Sequence, residues 1–187
     1  MTRFDFAHDL TGVCMHIDYC CEENSAETVL EIFNDAILNT TSIYEYQART
    51  PEQIADWFRN KAAGGWPVLG AFDEEGNLTG FASYGSFRPY PANLYTVEHS
   101  VYVHPAHRGK GIARTLLCRL IEEARAQELH VMIGAIDADN GASIRLHESL
   151  GFTHAGTIVQ AAFKFERWLD LALYQLLLET PIQPDAG

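Results

Sequence analysis

Apolar residues recur along this chain with two periods, and the places where the period changes predict its elements. Met15, Ile17 and Tyr19 alternate with His16, Asp18 and Cys20, the two-residue repeat of a half-buried strand. From Val29 the spacing lengthens, so that Val29, Ile32, Phe33, Ala36 and Ile37 share one helical face, opened by Asn24-Ser25-Ala26-Glu27 as a capping box. A second helix starts at Thr50-Pro51-Glu52-Gln53, where Thr50 caps, Pro51 takes the first helical position and Gln53 closes the box. Ile54, Trp57 and Phe58 give it a buried face. Residues 68–72 and 78–84 are apolar runs joined by Asp73-Glu74-Glu75-Gly76-Asn77, which predicts an antiparallel hairpin. Pro89 and Pro91 break pairing in the loop 86–93, before a central strand at 95–103.

The second half continues the pattern. A helix beginning near Gly111 carries one stripe of Ala113, Leu116, Leu117, Leu120, Ile121 and Ala124, with Glu122, Glu123 and Arg125 facing away. Residues 131–136 are almost wholly apolar, as in a strand covered on both faces. A helix over 140–150 stops at Gly151, a C-cap, and two strands follow at 152–159 and 168–178. Residues 1–13 read as an extension without strong periodicity and 179–187 as a loose tail. The 187 residues suit one domain, an α/β (α+β) arrangement with a mixed, mostly antiparallel sheet that splits where 95–103 diverges from 131–136.

Composition narrows the partners. A formal net charge of -12 and a pI near 5.0 argue against nucleic acid and against anionic membranes, both of which need a basic footprint. No apolar run approaches the roughly 20 residues that span a bilayer, and the N-terminus has no apolar core of a signal peptide. Cys14, Cys20, Cys21 and Cys118 show no metal-ligand spacing, so reduced thiols in the cytoplasm are the simplest reading. His104 and His107 sit in a loop with no carboxylate or cysteine at ligand spacing, so no metal is expected. Trp57, Phe58 and Trp168 read as core or interface residues.

Chemistry concentrates in the stretch 98–113, EHSVYVHPAHRGKGIA, where a strand, a glycine loop and a helix follow in order. That order gathers backbone N–H groups and a helix N-terminus, a setting for phosphate oxygens. The nucleotide P-loop pattern fails, because Ile112-Ala113 follows Gly111 in place of lysine and a hydroxyl residue. The dinucleotide fingerprint fails at Arg114, where a third glycine belongs. What is left is Arg108-x-x-Gly111-x-Ala113, behind a V-Y-V strand and ahead of Asn140 and an L-G-F segment. This resembles the acetyl-CoA loop of the GNAT superfamily of N-acetyltransferases. The segments TVEHSVYVHPAH, SIRLHESLGF and KFERWLDL extend the resemblance over about residues 15–178, to the branch of phosphinothricin and methionine sulfone or sulfoximine acetyltransferases.

The resemblance implies the GNAT fold, a seven-stranded sheet with helices on both faces and splayed central strands, and a detoxifying acetylation of a small amino-acid analogue with acetyl-CoA as co-substrate. It implies that Arg108, Gly109, Lys110, Gly111, Ile112, Ala113 and Arg114 hold the pyrophosphate and that Val101, Tyr102 and Val103 offer backbone groups to the pantetheine arm. Asn140, also a helix cap, and Ser149 are implied CoA contacts. Glu98 matches the position of the general base, which must remove a proton from the substrate ammonium. His147 stands where many relatives carry a tyrosine acid, so its role is either proton transfer or packing between helix and sheet. Arg88, Tyr90, Pro91, Ala92 and Asn93 lie where the family recognises its substrate, and Arg88 suits a carboxylate. The resemblance also implies a homodimer. Two alternatives stand beside this reading: another amine as acceptor, such as an aminoglycoside, a polyamine or a protein N-terminus, or a non-catalytic acyl-CoA sensor.

Overall fold

The computed structural model describes residues 15–184; the expected extension at 1–13 and the end of the tail lie outside the described residues. The elements run β1 (His16–Tyr19), α1 (Glu22–Asn39), α2 (Pro51–Ala63), β2 (Val68–Phe72), β3 (Leu78–Ser86), β4 (Thr96–Val103), α3 (Ile112–Ala126), β5 (Val131–Asp137), α4 (Gly141–Ser149), β6 (Thr153–Lys164) and β7 (Arg167–Leu177). The strands form one seven-stranded sheet in the order β1-β2-β3-β4-β5-β7-β6. Every neighbouring pair is antiparallel except β4 and β5.

Both faces of the sheet are covered. On one, Ile112, Leu116, Leu117 and Leu120 of α3 pack on Ala82, Tyr84, Val97 and Met132. On the other, Val29, Ile32 and Phe33 of α1 and Ile54 and Phe58 of α2 enclose Val68 and Phe81. Phe33, Trp57, Phe81 and Tyr102 meet there edge-on or tilted, at centroid distances of 4.9–5.9 Å, separations at which ring quadrupoles attract.

The feature that positions the site is the short parallel ladder. β4 and β5 pair only from Thr96↔Val131 to His99↔Gly134. Beyond that level β4 stays on β3, with Val101 opposite Ala82, while β5 stays on β7, with Asp137 opposite Leu171. The two strands therefore fork, and their remaining inner edges face a gap.

Several elements differ from the sequence reading. α1 begins at Glu22, and Asn24 is its third residue, accepting a bond from the Cys21 N–H at 3.2 Å, so Asn24 closes the cap and does not open it. Glu123 does not face away: its carboxylate meets Arg119 at 2.6 Å and accepts the Tyr19 hydroxyl at 2.8 Å, drawn inward by two partners. In the stripe of α3 the buried residue at the first turn is Ile112, with Ala113 half-buried. β6 runs five residues further than expected, because the Gln160 N–H is taken by Asp170 at 2.7 Å across an irregular register and pairing resumes at Ala162. The tail is tied at its start, where Thr180 donates to Leu129 O and its carbonyl meets His130 Nδ1 at 2.8 Å. Trp168 is exposed at the β6–β7 ribbon, against Phe163 at 5.2 Å.

Candidate active site

The fork opens into a cleft of about 840 Å³. Along it lie Glu98, Val101, Tyr102, Val103, Arg108, Gly109, Gly111, Ile112, Ala113, Arg114, Asn140 and His147, so one cavity joins residues of β4, the glycine loop and α4 with its cap. Lys110, Ser149, and the loop residues Arg88, Tyr90, Pro91, Ala92 and Asn93 are not on its wall.

At one end of the cleft is the glycine loop. Gly109 (φ 78°) and Gly111 (φ 80°) are both in the left-handed region, and Gly111 caps α3. A side chain at either would be strained, and glycine here lets main-chain N–H groups and the helix N-terminus face a common point. Arg114 donates to Ser149 Oγ at 2.7 Å, which places Ser149 as a brace for that arginine. Arg108 is held by Asp35 at 2.5 Å and by the Val103 carbonyl at 3.3 Å, pinning the loop to α1. His104 does find a carboxylate, Glu31 on α1, at 3.2 Å.

At the other end the two sheet faces carry different chemistry. Side chains alternate along a strand, so Val97 and His99 of β4 point toward the α3 side, and Glu98 points toward α1 and α2. Glu98 opens to solvent, yet the surrounding protein thins its hydration and raises its carboxyl above the usual carboxylate range. Tyr102, half-buried against the aromatic cluster, is pushed up to about 12 by loss of solvation, so its phenol stays protonated.

On the α3 side, His147 is buried and stacks on His99, with ring centroids 5.0 Å apart. Its Nδ1 is 2.7 Å from the Ser143 carbonyl and its Nε2 is 3.0 Å from His99 Nε2. A carbonyl only accepts, so the bonds assign the proton of His147 to Nδ1; Nε2 then accepts from His99 Nε2–H. Both imidazoles are neutral in this arrangement. Burial, with the charge of His147 adding, lowers His99 to about 3, and burial lowers His147 as well, partly offset by Ser143. A Cβ on Gly134 would come within 3.1 Å of both rings, which is why β5 carries glycine where the fork begins. Asn140 caps α4 through Ser143 N at 3.1 Å.

The cleft also has a wall that sequence reading did not anticipate. Thr40, Thr41, Ser42 and Tyr44, from the connection after α1, face it together with Asp137 at the end of β5. Lys164 holds that connection in place: it is 4% exposed, and its ammonium donates to the carbonyls of Ile37, Thr40 and Ile43 at 2.5, 2.8 and 2.7 Å. The Tyr46 hydroxyl adds a bond of 2.5 Å to the Phe163 carbonyl. The one hint in the sequence was an aspartate closing the apolar run 131–136.

A parallel pair that opens over a glycine loop and a helix N-terminus gives a cleft with an anion-binding end, and comparison with known proteins identifies the family. The sequence model of the acetyltransferase (GNAT) family matches residues 27–152. The chain belongs to this family and is an N-acetyltransferase. It is 48% identical over 158 residues to the L-methionine sulfoximine/L-methionine sulfone acetyltransferase of Salmonella typhimurium, covering 84% of this chain and 92% of that one. A Salmonella typhimurium structure described with its cofactor acetyl-CoA superposes with a TM-score of 0.88 at 44% identity, covering 92% of this chain and 99% of that one. A phosphinothricin acetyltransferase from Sinorhizobium meliloti, in complex with acetyl-CoA, gives a TM-score of 0.88 at 32% identity, with 92% and 94% covered.

Proposed function

We propose that this enzyme transfers the acetyl group of acetyl-CoA to the α-amino group of a small amino acid of the methionine sulfoximine or sulfone type. The observation that carries the reading is the placement of Glu98, a solvent-open carboxylate at the fork, in one cleft with the glycine loop. The left-handed glycines, the N-terminus of α3 and Arg114 fit a pyrophosphate, and the unpaired edge of β4 at 101–103 fits an extended pantetheine arm. Lys110 adds positive charge at the loop, and Asn140 fixes the start of α4 beside the arm.

Glu98 takes one proton from the substrate ammonium, directly or through water, which frees the nitrogen lone pair to attack the thioester carbon. A β4 main-chain N–H within 101–103 donates to the oxygen as negative charge builds on it. As that oxygen reforms its double bond, the C–S bond breaks with its electron pair on sulfur. Both nitrogens of His147 are engaged by protein, so we assign it a positioning role at the fork, and the second N–H proton of the tetrahedral intermediate passes through water in the cleft to the departing thiolate. Arg88 would meet the substrate carboxylate from the connection 87–95, which returns at Thr96, two residues before Glu98, through Phe87 N–H to Thr96 O at 3.2 Å. Tyr90, Pro91, Ala92 and Asn93 shape that connection.

Thiol release from acetyl-CoA tests the reading, with methionine sulfoximine, methionine sulfone and phosphinothricin beside an aminoglycoside and a polyamine. Turnover confined to the cationic amines would overturn it. We also propose that the chain pairs with a second copy through the exposed β6–β7 ribbon, where Val159 and Trp168 are 70% and 58% exposed. A monomeric mass in light scattering at micromolar concentration would refute that pairing.

A further inference from the structure

The cleft contains a polar group that the transfer chemistry does not use. Asp137 is 4% exposed and faces the cleft, and its Oδ2 has no hydrogen-bond partner. Its Oδ1 accepts from the Asp139 N–H at 3.0 Å. The Arg167 guanidinium is 3.8 Å from Oδ2, beyond hydrogen-bond reach, and gives its other nitrogen to Asp139 at 2.6 Å. A carboxylate oxygen buried without a donor is costly, since the desolvation of a charged acceptor goes uncompensated. The Tyr44 hydroxyl, on the same wall, is likewise buried without a partner, and the Asp137 charge helps to raise its pKa, after burial.

The placement of this pair relative to Glu98 decides what it can bind. Met132 and Ile136 pack toward α3, so by alternation Ile133, Ala135 and Asp137 point to the face that Glu98 occupies. Glu98 is level with Ile133 in the parallel register, and Asp137 lies four residues further along β5, roughly 13 Å at the backbone. Glu98, Asp137 and Tyr44 all line the one cleft. An amine held at Glu98 thus leaves the far end of the same molecule at Asp137 and Tyr44.

We infer that Asp137 and Tyr44 form a subsite for the distal group of the acceptor, one that selects a group presenting an N–H donor beside an oxygen acceptor. This rests on the amino-acid acetylation reading above. A sulfoximine carries both: its N–H donates to Asp137 Oδ2 and its oxygen accepts from the Tyr44 hydroxyl. A sulfone has the same shape but only acceptors, so one oxygen would face the carboxylate. A phosphinate adds a negative charge there. The subsite therefore ranks sulfoximine above sulfone and both above phosphinate.

The test compares kcat/KM for methionine sulfoximine, methionine sulfone and phosphinothricin in the wild type, Asp137→Asn and Tyr44→Phe. The wild type should favour sulfoximine over sulfone by about tenfold, the scale of one charge-assisted hydrogen bond. Asp137→Asn should bring that ratio toward one and raise the relative rate on phosphinothricin. Tyr44→Phe should slow sulfoximine and sulfone alike by several-fold, and it carries the test if the aspartate variant does not fold. Unchanged ratios in Asp137→Asn, or unchanged rates in Tyr44→Phe, would overturn the subsite alone. A wild type that binds acetyl-CoA but acetylates none of the three would overturn the acetylation reading beneath it.

Discussion

Lowering the pH should unfold this protein through its buried histidine pair. His99 is 7% exposed, and its neighbours offer its Nδ1 no acceptor for a second proton. In the unfolded chain an imidazole titrates near 6.5, whereas folded His99 is held down at about 3. Between those values the unfolded state binds a proton that the folded state refuses. Stability is therefore fully present above pH 6.5 and is lost as the pH falls toward 3. At 1.36 kcal/mol per pH unit, with the unfolded imidazole half protonated at the start, the loss from His99 between pH 6.5 and 4.5 is about 2 kcal/mol. Urea unfolding at several pH values measures it, with His99→Leu as the comparison. That variant loses the bond to His147 and about 1–2 kcal/mol at pH 7.5, but its curve should fall by about 2 kcal/mol less on acidification. Parallel acid limbs in the two proteins would refute the reasoning.

Lys164→Met keeps the aliphatic stem but leaves three carbonyls of the α1 end without their donor. It should lower stability by about 3 kcal/mol in urea unfolding and raise KM for the acceptor more than for acetyl-CoA, because Thr40, Thr41, Ser42 and Tyr44 line the part of the cleft proposed for the acceptor. Gly111→Val forces a β-branched residue into a φ of 80° at the cap of α3. Its expected cost is about 1–3 kcal/mol, with weaker acetyl-CoA binding in calorimetry and little change in acceptor KM.

What could be read from the sequence follows from how local each signal is. The glycine loop, the strand before it and the amphipathic α3 are contiguous, so their spacing announces them without knowledge of the rest of the fold. Glu98 is legible for the same reason, three positions from Val101 on one strand. Tyr44, Asp137 and Lys164 are different. Lys164 is an ordinary strand lysine until the chain brings it against α1, 121 to 127 residues away, where three carbonyls converge on it. Asp137 looks like a polar strand end until the fork shows that it turns into the cleft. His147 was ambiguous from sequence because its role depends on His99, 48 residues distant, which occupies the nitrogen that proton transfer would need. Arg88 lies near the Phe87 ring, 5.4 Å from its centroid and off the cleft wall, so the contact proposed for it with the substrate carboxylate requires its side chain to swing away from that ring. Glu123 was misread because Tyr19 and Arg119 draw its carboxylate inward, and the start of α1 because the Asn24 side chain accepts the Cys21 N–H from within the first turn.

The most direct test of the account is the pH dependence of kcat/KM on methionine sulfoximine in the wild type and in Glu98→Gln, with acetyl-CoA binding measured alongside. The wild-type rate should rise with pH through an apparent pKa above the usual carboxylate range, and Glu98→Gln should abolish that limb and lower kcat by about 10²–10³-fold, with acetyl-CoA affinity unchanged. A Glu98→Gln enzyme that keeps both the wild-type kcat and the wild-type pH profile would contradict it.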